Sequence, residues 1–243
     1  MFDILTTSQL FICFVIILTA YTVRGITGFG SGLIAIPLLV LMLPVSVVVP
    51  MIGLMDMSAS MAHGVKLRSG IRWKQIFYLL PFSLLGVLLA MYLFNTVDPQ
   101  LLKTLLGGFV FSYALYSLFI TEAHTHSSNL WAVPGGVCGG LVGTLFGTGG
   151  PFYVIYLQLQ GFSKAAFRAT IAVIFLLDGS ARIIAYTLNG FYSFDIMLLI
   201  AASLPVMIAA MYLGGHMHTN ISQQSMQKGI AVLLLFSGGA LMW

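Results

Sequence analysis

Ten apolar runs follow one another along this chain, at roughly Leu10 to Val23, Leu33 to Leu43, Val45 to Ala62, Ile76 to Phe94, Leu101 to Ile120, Leu130 to Phe146, Pro151 to Leu159, Ala169 to Leu188, Ile196 to Leu213 and Gly229 to Trp243. A helix that crosses the ~30 Å hydrocarbon layer needs about 20 residues. Several of the runs are shorter, so some are half-helices or segments that enter and leave the membrane on one side. With 59% hydrophobic and 7% charged residues, the chain has too little polar surface to cover a soluble globule. The fold class that follows is an all-α, polytopic integral membrane protein of about 8–10 membrane segments, some of them glycine-broken or re-entrant. The connectors Gly64 to Gln75, Thr121 to Asn129 and Gly214 to Lys228 are too short to fold alone, so residues 1–243 read as a single membrane domain. The first run lacks a basic start and a small-residue cleavage site and is expected to be a permanent helix.

Charge excludes one class of partner. The formal charge is +4, but four of the ten basic residues, Lys66, Arg68, Arg72 and Lys74, crowd one short loop. Without a wide basic face, that cluster speaks against nucleic acid and for a loop on the cytoplasmic side of a bilayer. Cys13 and Cys138 lie in apolar runs, where small buried residues are expected rather than a disulfide or metal ligands. His124 and His126, and His216 and His218, fall in polar connectors without the Cys, Asp or Glu partners of a closed metal site, so no metal is expected. Lipid-facing and partner-facing helices share one composition, which leaves the oligomeric state open.

The chain also repeats itself. "TGFGSG" at Thr27 to Gly32 has a counterpart in "FGTGGP" at Phe146 to Pro151, 119 residues on. "DMSA" from Asp56 matches "DGSA" from Asp178 at 122, "LP" at Leu80 matches Leu204 at 124, and "MYL" at Met91 matches Met211 at 120. Four landmarks in one order indicate an internal duplication, with repeats near 9–120 and 130–243. Three crossings plus one re-entrant hairpin per half would put the loops carrying Lys66 to Lys74, Lys164 with Arg168, and Lys228 on one side, leaving only Lys103 opposite. That count favours two inverted halves with the amino terminus outside.

The two glycine-rich breaks constrain function. Inside hydrocarbon, irregular backbone survives only where protein or a water-filled cavity surrounds it. A helix restarting after such a break presents unpaired N–H groups and a positive dipole end, which bind anions. Thr27, Ser31 and Thr148 add hydroxyl donors beside Gly28, Gly30, Gly32, Gly149 and Gly150, and discontinuous helices at a repeat interface are a transporter device. The alternative is that the small residues simply allow helices to pack closely.

"GITGFGSGLIAIPLL" (Gly25 to Leu39), "GGLVGTLFGTGGPFYVIYL" (Gly139 to Leu157) and "FLLDGSARIIAYTLNG" (Phe175 to Gly190) resemble the TauE/SafE sulfite-exporter family, also called the TSUP transporters, over nearly the whole chain. The resemblance implies a multi-pass permease of a bacterial inner membrane. Its substrates would be small sulfur-containing anions such as sulfite, thiosulfate, sulfonates or sulfoacetate, with protons as the coupling ion. Ser31 departs from the glycine run usual at that place, and its hydroxyl would bear on anion selectivity.

Charges buried in a membrane are costly and mark functional sites. Arg24 precedes the first break, where a guanidinium suits an oxyanion through two parallel hydrogen bonds; a snorkelling helix-end arginine is the alternative. Asp178 and Arg182 are four residues apart on one helix face. Either they form a salt bridge that lets Asp178 be buried, or protonation of Asp178 releases Arg182 and couples anion binding to proton movement. Asp56 occupies the equivalent place in the first half, has no basic residue four positions away, and is expected to act as a proton carrier or to cap its own turn.

No nucleophile paired with a base, phosphate loop or dinucleotide fingerprint is present, so the chain is expected to be neither an enzyme nor a cofactor protein. The expected mechanism is secondary transport by alternating access, the two halves rocking around a central anion site. A passive anion channel or facilitator using the same glycine-lined site is the alternative.

Overall fold

The computed structural model describes residues 6–27, 30–64, 70–119, 128–217 and 223–243. They form ten α-helices: α1 (Thr7–Thr27), α2 (Ser31–Leu39), α3 (Val45–Gly64), α4 (Trp73–Thr96), α5 (Pro99–Phe119), α6 (Ala132–Phe146), α7 (Gly150–Gln158), α8 (Lys164–Leu188), α9 (Phe194–His216) and α10 (Gln223–Met242), with a short 3₁₀ turn at Asn129–Trp131 before α6. No strand occurs among the described residues. Five of the helical stretches, Ser8–Ile26, Trp73–Thr96, Asn129–Phe146, Ala169–Leu188 and Phe194–His216, are long and apolar enough to cross a membrane. The all-α membrane fold is therefore present, and each apolar run of the sequence has become one helix.

Helix ends follow local chemistry more than hydropathy. Ser163 caps α8, its hydroxyl accepting from the Ala166 N–H at 3.4 Å. The helix thus begins at Lys164, ahead of the apolar run, and Lys164 and Arg168 lie in its first turns rather than in a loop. Ser193 caps α9 in the same way through the Ile196 N–H. At the other end of α9, His216 is still helical and its Nδ1 lies 2.8 Å from the Tyr212 carbonyl. The polar connector expected from Gly214 is correspondingly shorter, because a ring nitrogen engages a carbonyl of the last turn. His124, His126 and His218 lie outside the described residues.

Both glycine breaks exist, and each is followed by a helix of nine residues. Before α2, Gly30 has φ 94°, and a Cβ added there would meet nothing within 4 Å. Its requirement is therefore conformational, since only glycine takes that left-handed backbone readily. Before α7, Gly147 ends α6 with φ 65°, and Pro151 sits in the first turn of α7, where its missing N–H costs nothing.

The helices group into two compact units, and neither is a continuous stretch of chain. The first comprises Met1–Met55, Asp98–Thr121 and Tyr192–Trp243. Here α1 packs against α2 and α9, α5 against α10, and α2 also touches α5 and α10. The second comprises Asp56–Val97 and Glu122–Phe191. Here α4 packs against α6 and α8, and α7 lies against the same two helices.

Lipid tails are as apolar as leucine, so helices in a membrane associate by close packing and hydrogen bonds. Glycines in the helix bodies serve that purpose. A Cβ on Gly140 of α6 would collide with the Ser83 carbonyl of α4, one on Gly86 of α4 with the Val137 carbonyl, and one on Gly136 would lie 2.8 Å from the Leu79 carbonyl. The same device joins α1 to α9 in the first unit, where a Cβ on Gly214 would strike the Thr22 carbonyl and one on Gly25 would lie 2.7 Å from that of Met211. The packed interior of the second unit gathers Ile76, Leu79, Ala132, Tyr153, Tyr156, Leu157 and Ile174, all at most 1% exposed.

Candidate functional site

The second unit places a carboxylate at its centre. Asp178 of α8 is fully buried, and its Oδ1 accepts from Ser83 Oγ at 2.6 Å and from the Tyr153 hydroxyl at 2.8 Å. The two hydroxyl oxygens are themselves 3.0 Å apart. Ser83 comes from α4 and Tyr153 from the first turn of α7, so three helices meet at one carboxylate. Its Oδ2 faces Arg182 Nη2 at 2.8 Å, an ion pair whose angle lies outside hydrogen-bond geometry. The arginine side chain is 16% exposed and the aspartate not at all. Burying either ion alone would cost several kcal/mol, so the partners make each other tolerable.

The Ser83–Tyr153–Asp178 triangle accommodates either charge state of the acid. When Asp178 is ionised, both hydroxyls donate to it. When its Oδ1 carries a proton, Asp178 donates to one hydroxyl and that hydroxyl donates to the other, over the same distances. The two hydroxyls thus suit either form of the acid, whereas the ion pair with Arg182 requires the carboxylate.

Arg182 is also tied to the helix break. Its Nη1 donates to the Gly143 carbonyl at 2.8 Å, and one turn further along α8 the Tyr186 hydroxyl donates to the Thr144 carbonyl at 2.6 Å. Gly143 and Thr144 belong to the last turn of α6, whose carbonyls have no intrahelical partner. Two side chains of α8 therefore satisfy two orphan acceptors inside the apolar unit, and the guanidinium also meets the negative end of the α6 dipole.

Past Gly147, Thr148 is 3% exposed and its hydroxyl has no hydrogen-bond partner among the described residues. Gly149 precedes α7 without offering it a side-chain cap. A Cβ on Gly149 would run into the Gly139 carbonyl, and one on Gly150 would sit 3.3 Å from the Phe175 ring. Close packing thus accounts for Gly149, while the first-turn N–H groups of α7 lack a capping side chain.

In the first unit, Arg24 occupies the last turn of α1 and its Nη1 donates to Ser31 Oγ at 2.9 Å. Ser31 opens α2, is fully buried, and here accepts a hydrogen bond from the arginine. Gly32 follows it, buried, within the first turn. Gly30 offers α2 no side-chain cap, as Gly149 offers none to α7. Thr27 ends α1, and Gly28 lies outside the described residues.

The structure thus joins Arg24 to Ser31, and Asp178 to Arg182. Asp56 of α3 is half-buried rather than buried, and its carbonyl accepts from Ser60 Oγ at 2.8 Å. Its charge is near enough to be felt at Arg182. Sequence reasoning missed Ser83, Tyr153 and Tyr186. Ser83 carried a signal, a lone hydroxyl two residues past Pro81 in an apolar run, whereas one tyrosine among ten carries none. Among the described residues no group of His, Cys, Asp or Glu could hold a metal ion.

A polytopic helical protein with two uncapped half-helices, each restarting beside an arginine or its ion pair, belongs architecturally with membrane transporters. The family model for the sulfite exporter TauE/SafE family matches residues 13–241, and the chain belongs to that family. It is 29% identical over 192 residues to the probable inner membrane transporter protein TsaS of Comamonas testosteroni, covering 76% of this chain and 78% of that one. It is 24% identical over 227 residues to the probable sulfite/organosulfonate exporter TauE of Cupriavidus necator, covering 90% and 88%. No solved structure matches it. The chain is a multi-pass membrane protein of a transporter family.

Proposed function

We propose that this protein is a secondary transporter for small sulfur-containing anions, such as sulfite, thiosulfate, a sulfonate or sulfoacetate, driven by proton movement and working by alternating access. The observation that carries this reading is the buried Asp178–Arg182 pair. Its acid is held by two hydroxyls that serve either charge state, and its base lies at the α6–α7 break. A proton on Asp178 leaves the guanidinium uncompensated and ready for an anion. Loss of the proton restores the ion pair and disfavours the anion. Asp56 is a second proton-carrying candidate.

Within the first unit the start of α2 would bring Gly30, Ser31 and Gly32 to the anion beside Thr27, Gly28 and Arg24; within the second, the start of α7 would bring Thr148, Gly149 and Gly150 beside Arg182. The choice of sulfur anions is supported by the TauE/SafE family and by the relative from Cupriavidus necator, a probable sulfite/organosulfonate exporter. The two nine-residue helices, each following a break, support the duplicated plan with repeats near 9–120 and 130–243.

The test is uptake by purified protein in liposomes. Sulfite, thiosulfate, an alkanesulfonate, sulfate and chloride are presented with and without a pH gradient. Uptake of a sulfur anion that a pH gradient accelerates and that Asp178→Asn abolishes is the expected result. Saturable uptake indifferent to the gradient and unchanged in Asp178→Asn would overturn the coupling. Non-saturating flux that never accumulates anion would favour a passive channel.

A further inference from the structure

The end of α6 and the start of α7 hold buried polar atoms without a hydrogen-bond partner among the described residues. Thr144 is fully buried, Thr148 is 3% exposed, and neither hydroxyl has a hydrogen-bond partner among the described residues. The Nε–H of Arg182 is buried and unpartnered too, although the other two nitrogens engage Gly143 and Asp178. Buried donors without acceptors are costly and rare, so three around one helix break require an account. The guanidinium lies against the break itself, because a Cβ built on Gly143 would be 3.3 Å from Arg182 Nη1 and 3.3 Å from the Gly149 Cα. The first turn of α7 lacks a side-chain cap, Pro151 bringing no N–H and the Phe152 N–H donating to the Gly149 carbonyl at 3.2 Å. The two threonine hydroxyls and the Arg182 Nε–H lack an acceptor among the described residues.

Net charge then sets the kind of acceptor. Among the described residues, the titratable groups near Arg182 besides Asp178 include Tyr153 from α7, Tyr186 on α8 itself and Asp56 from α3. The α6 helix carries no charged residue, Cys138 being its one titratable group, and α4 brings the Ser83 hydroxyl. Asp178 and Arg182 cancel each other. A single negative charge arriving with a proton on Asp178 therefore leaves the pair and its ligand neutral. A doubly charged anion leaves an excess charge where charge is poorly solvated.

We infer that the α6–α7 break is a subsite for a singly charged sulfur oxyanion of the sulfonate type, in which Thr144, Thr148 and the Arg182 Nε–H donate to its oxygens and one proton accompanies it. Three donors answer the three oxygens of R–SO3⁻. Transport through this site is electroneutral, one anion with one proton. The inference rests on the proton-coupled reading above and adds Thr144, the charge of the substrate and the stoichiometry.

Two experiments separate the two claims. In liposomes, ethanesulfonate and the doubly charged 1,2-ethanedisulfonate are compared under an imposed pH gradient and under an imposed membrane potential. The expected result is ethanesulfonate uptake accelerated by the pH gradient and indifferent to the potential, with the disulfonate at least about tenfold slower, as one uncompensated charge demands. Equal uptake of both anions, or a rate set by the potential, overturns the charge assignment while leaving transport intact.

In detergent, ethanesulfonate binding by the wild type, Thr144→Val and Thr148→Val is followed by calorimetry in buffers of different ionisation heat, alongside thermal melts. Each valine variant should melt no lower than wild type without ligand, because an unsatisfied hydroxyl has been removed. Each should lose about tenfold in ethanesulfonate affinity, and the wild type should take up one proton per anion bound. Binding with this pattern but without transport would sink the transporter reading and keep the subsite. Valine variants that melt lower and bind as the wild type does would overturn the subsite.

Discussion

Arg182 of α8 donates to the carbonyl of Gly143, 2.8 Å away in the last turn of α6, while its other terminal nitrogen faces Asp178. One guanidinium thereby closes the end of a helix that stops inside the apolar unit and neutralises a carboxylate with no exposure of its own. Its two tasks are separable by mutation.

Removing one partner should be worse than removing both. Asp178→Asn leaves a largely buried cation uncompensated, and Arg182→Gln leaves a buried anion, so each should cost about 3–5 kcal/mol. The double variant Asp178→Asn with Arg182→Gln should fall short of the sum of the two losses. Its residual cost would be the Gly143 carbonyl left without a donor. Thermal melts of the four proteins in detergent give the coupling energy, and strict additivity would contradict the pair described here.

Ser83 and Tyr153 should behave as one unit. Each hydroxyl contributes a hydrogen bond to a charged acceptor, worth about 1.5–3 kcal/mol. Ser83→Ala and Tyr153→Phe should each lower stability by an amount in that range. Since the hydroxyls are 3.0 Å apart, the double variant should deviate from additivity by at least about 0.5 kcal/mol. A double-mutant cycle by denaturation in mixed micelles measures it.

Glycines should sort into three kinds under substitution by alanine. At Gly140 and Gly86 the new methyl meets backbone carbonyls across the α4–α6 contact, which cannot rotate away. Those helices must separate, with a loss of about 1–3 kcal/mol. At Gly30 there is room but φ is 94°, so the cost is conformational, about 1–2 kcal/mol. At Gly108 and Gly239 nothing lies within 4 Å and the backbone is helical, so alanine should be neutral or stabilise by up to about 1 kcal/mol. Melting temperatures of the five variants decide the order.

Ser31→Ala should leave the Arg24 Nη1 without the hydroxyl it donates to at 2.9 Å. An exchanged hydrogen bond to a charged donor amounts to about 1.5–3 kcal/mol. The variant should lose stability within that range, and its ranking of sulfur anions should shift in the liposome assay. An unchanged ranking would make the serine purely structural.

Hydropathy made the helices legible, because an apolar run in this chain has no other stable fate than a helix. The breaks were legible too, since Gly30 and Gly147 announce backbone that no other residue adopts cheaply. The Asp178–Arg182 pair could be seen from spacing alone, because four residues is one helical turn. Helix ends were less visible: Lys164 and Arg168 look like loop residues until the Ser163 cap is recognised. The partners of Asp178 were hidden because Ser83 and Tyr153 lie 95 and 25 residues away from it in sequence. Only packing in three dimensions makes them neighbours. For the same reason the body glycines Gly86, Gly136 and Gly140 could not be told from the glycines of the breaks.

The stitching of Arg182 and Tyr186 to successive carbonyls of α6 also restricts how this unit can move. If α8 slid by one turn, both acceptors would be stripped at once, and no water is at hand in hydrocarbon to replace the lost donors. Displacement of α8 must therefore drag the terminal turn of α6 along as cargo. The swivel for any such displacement is left to Gly147, the left-handed residue immediately beyond the stitched turn.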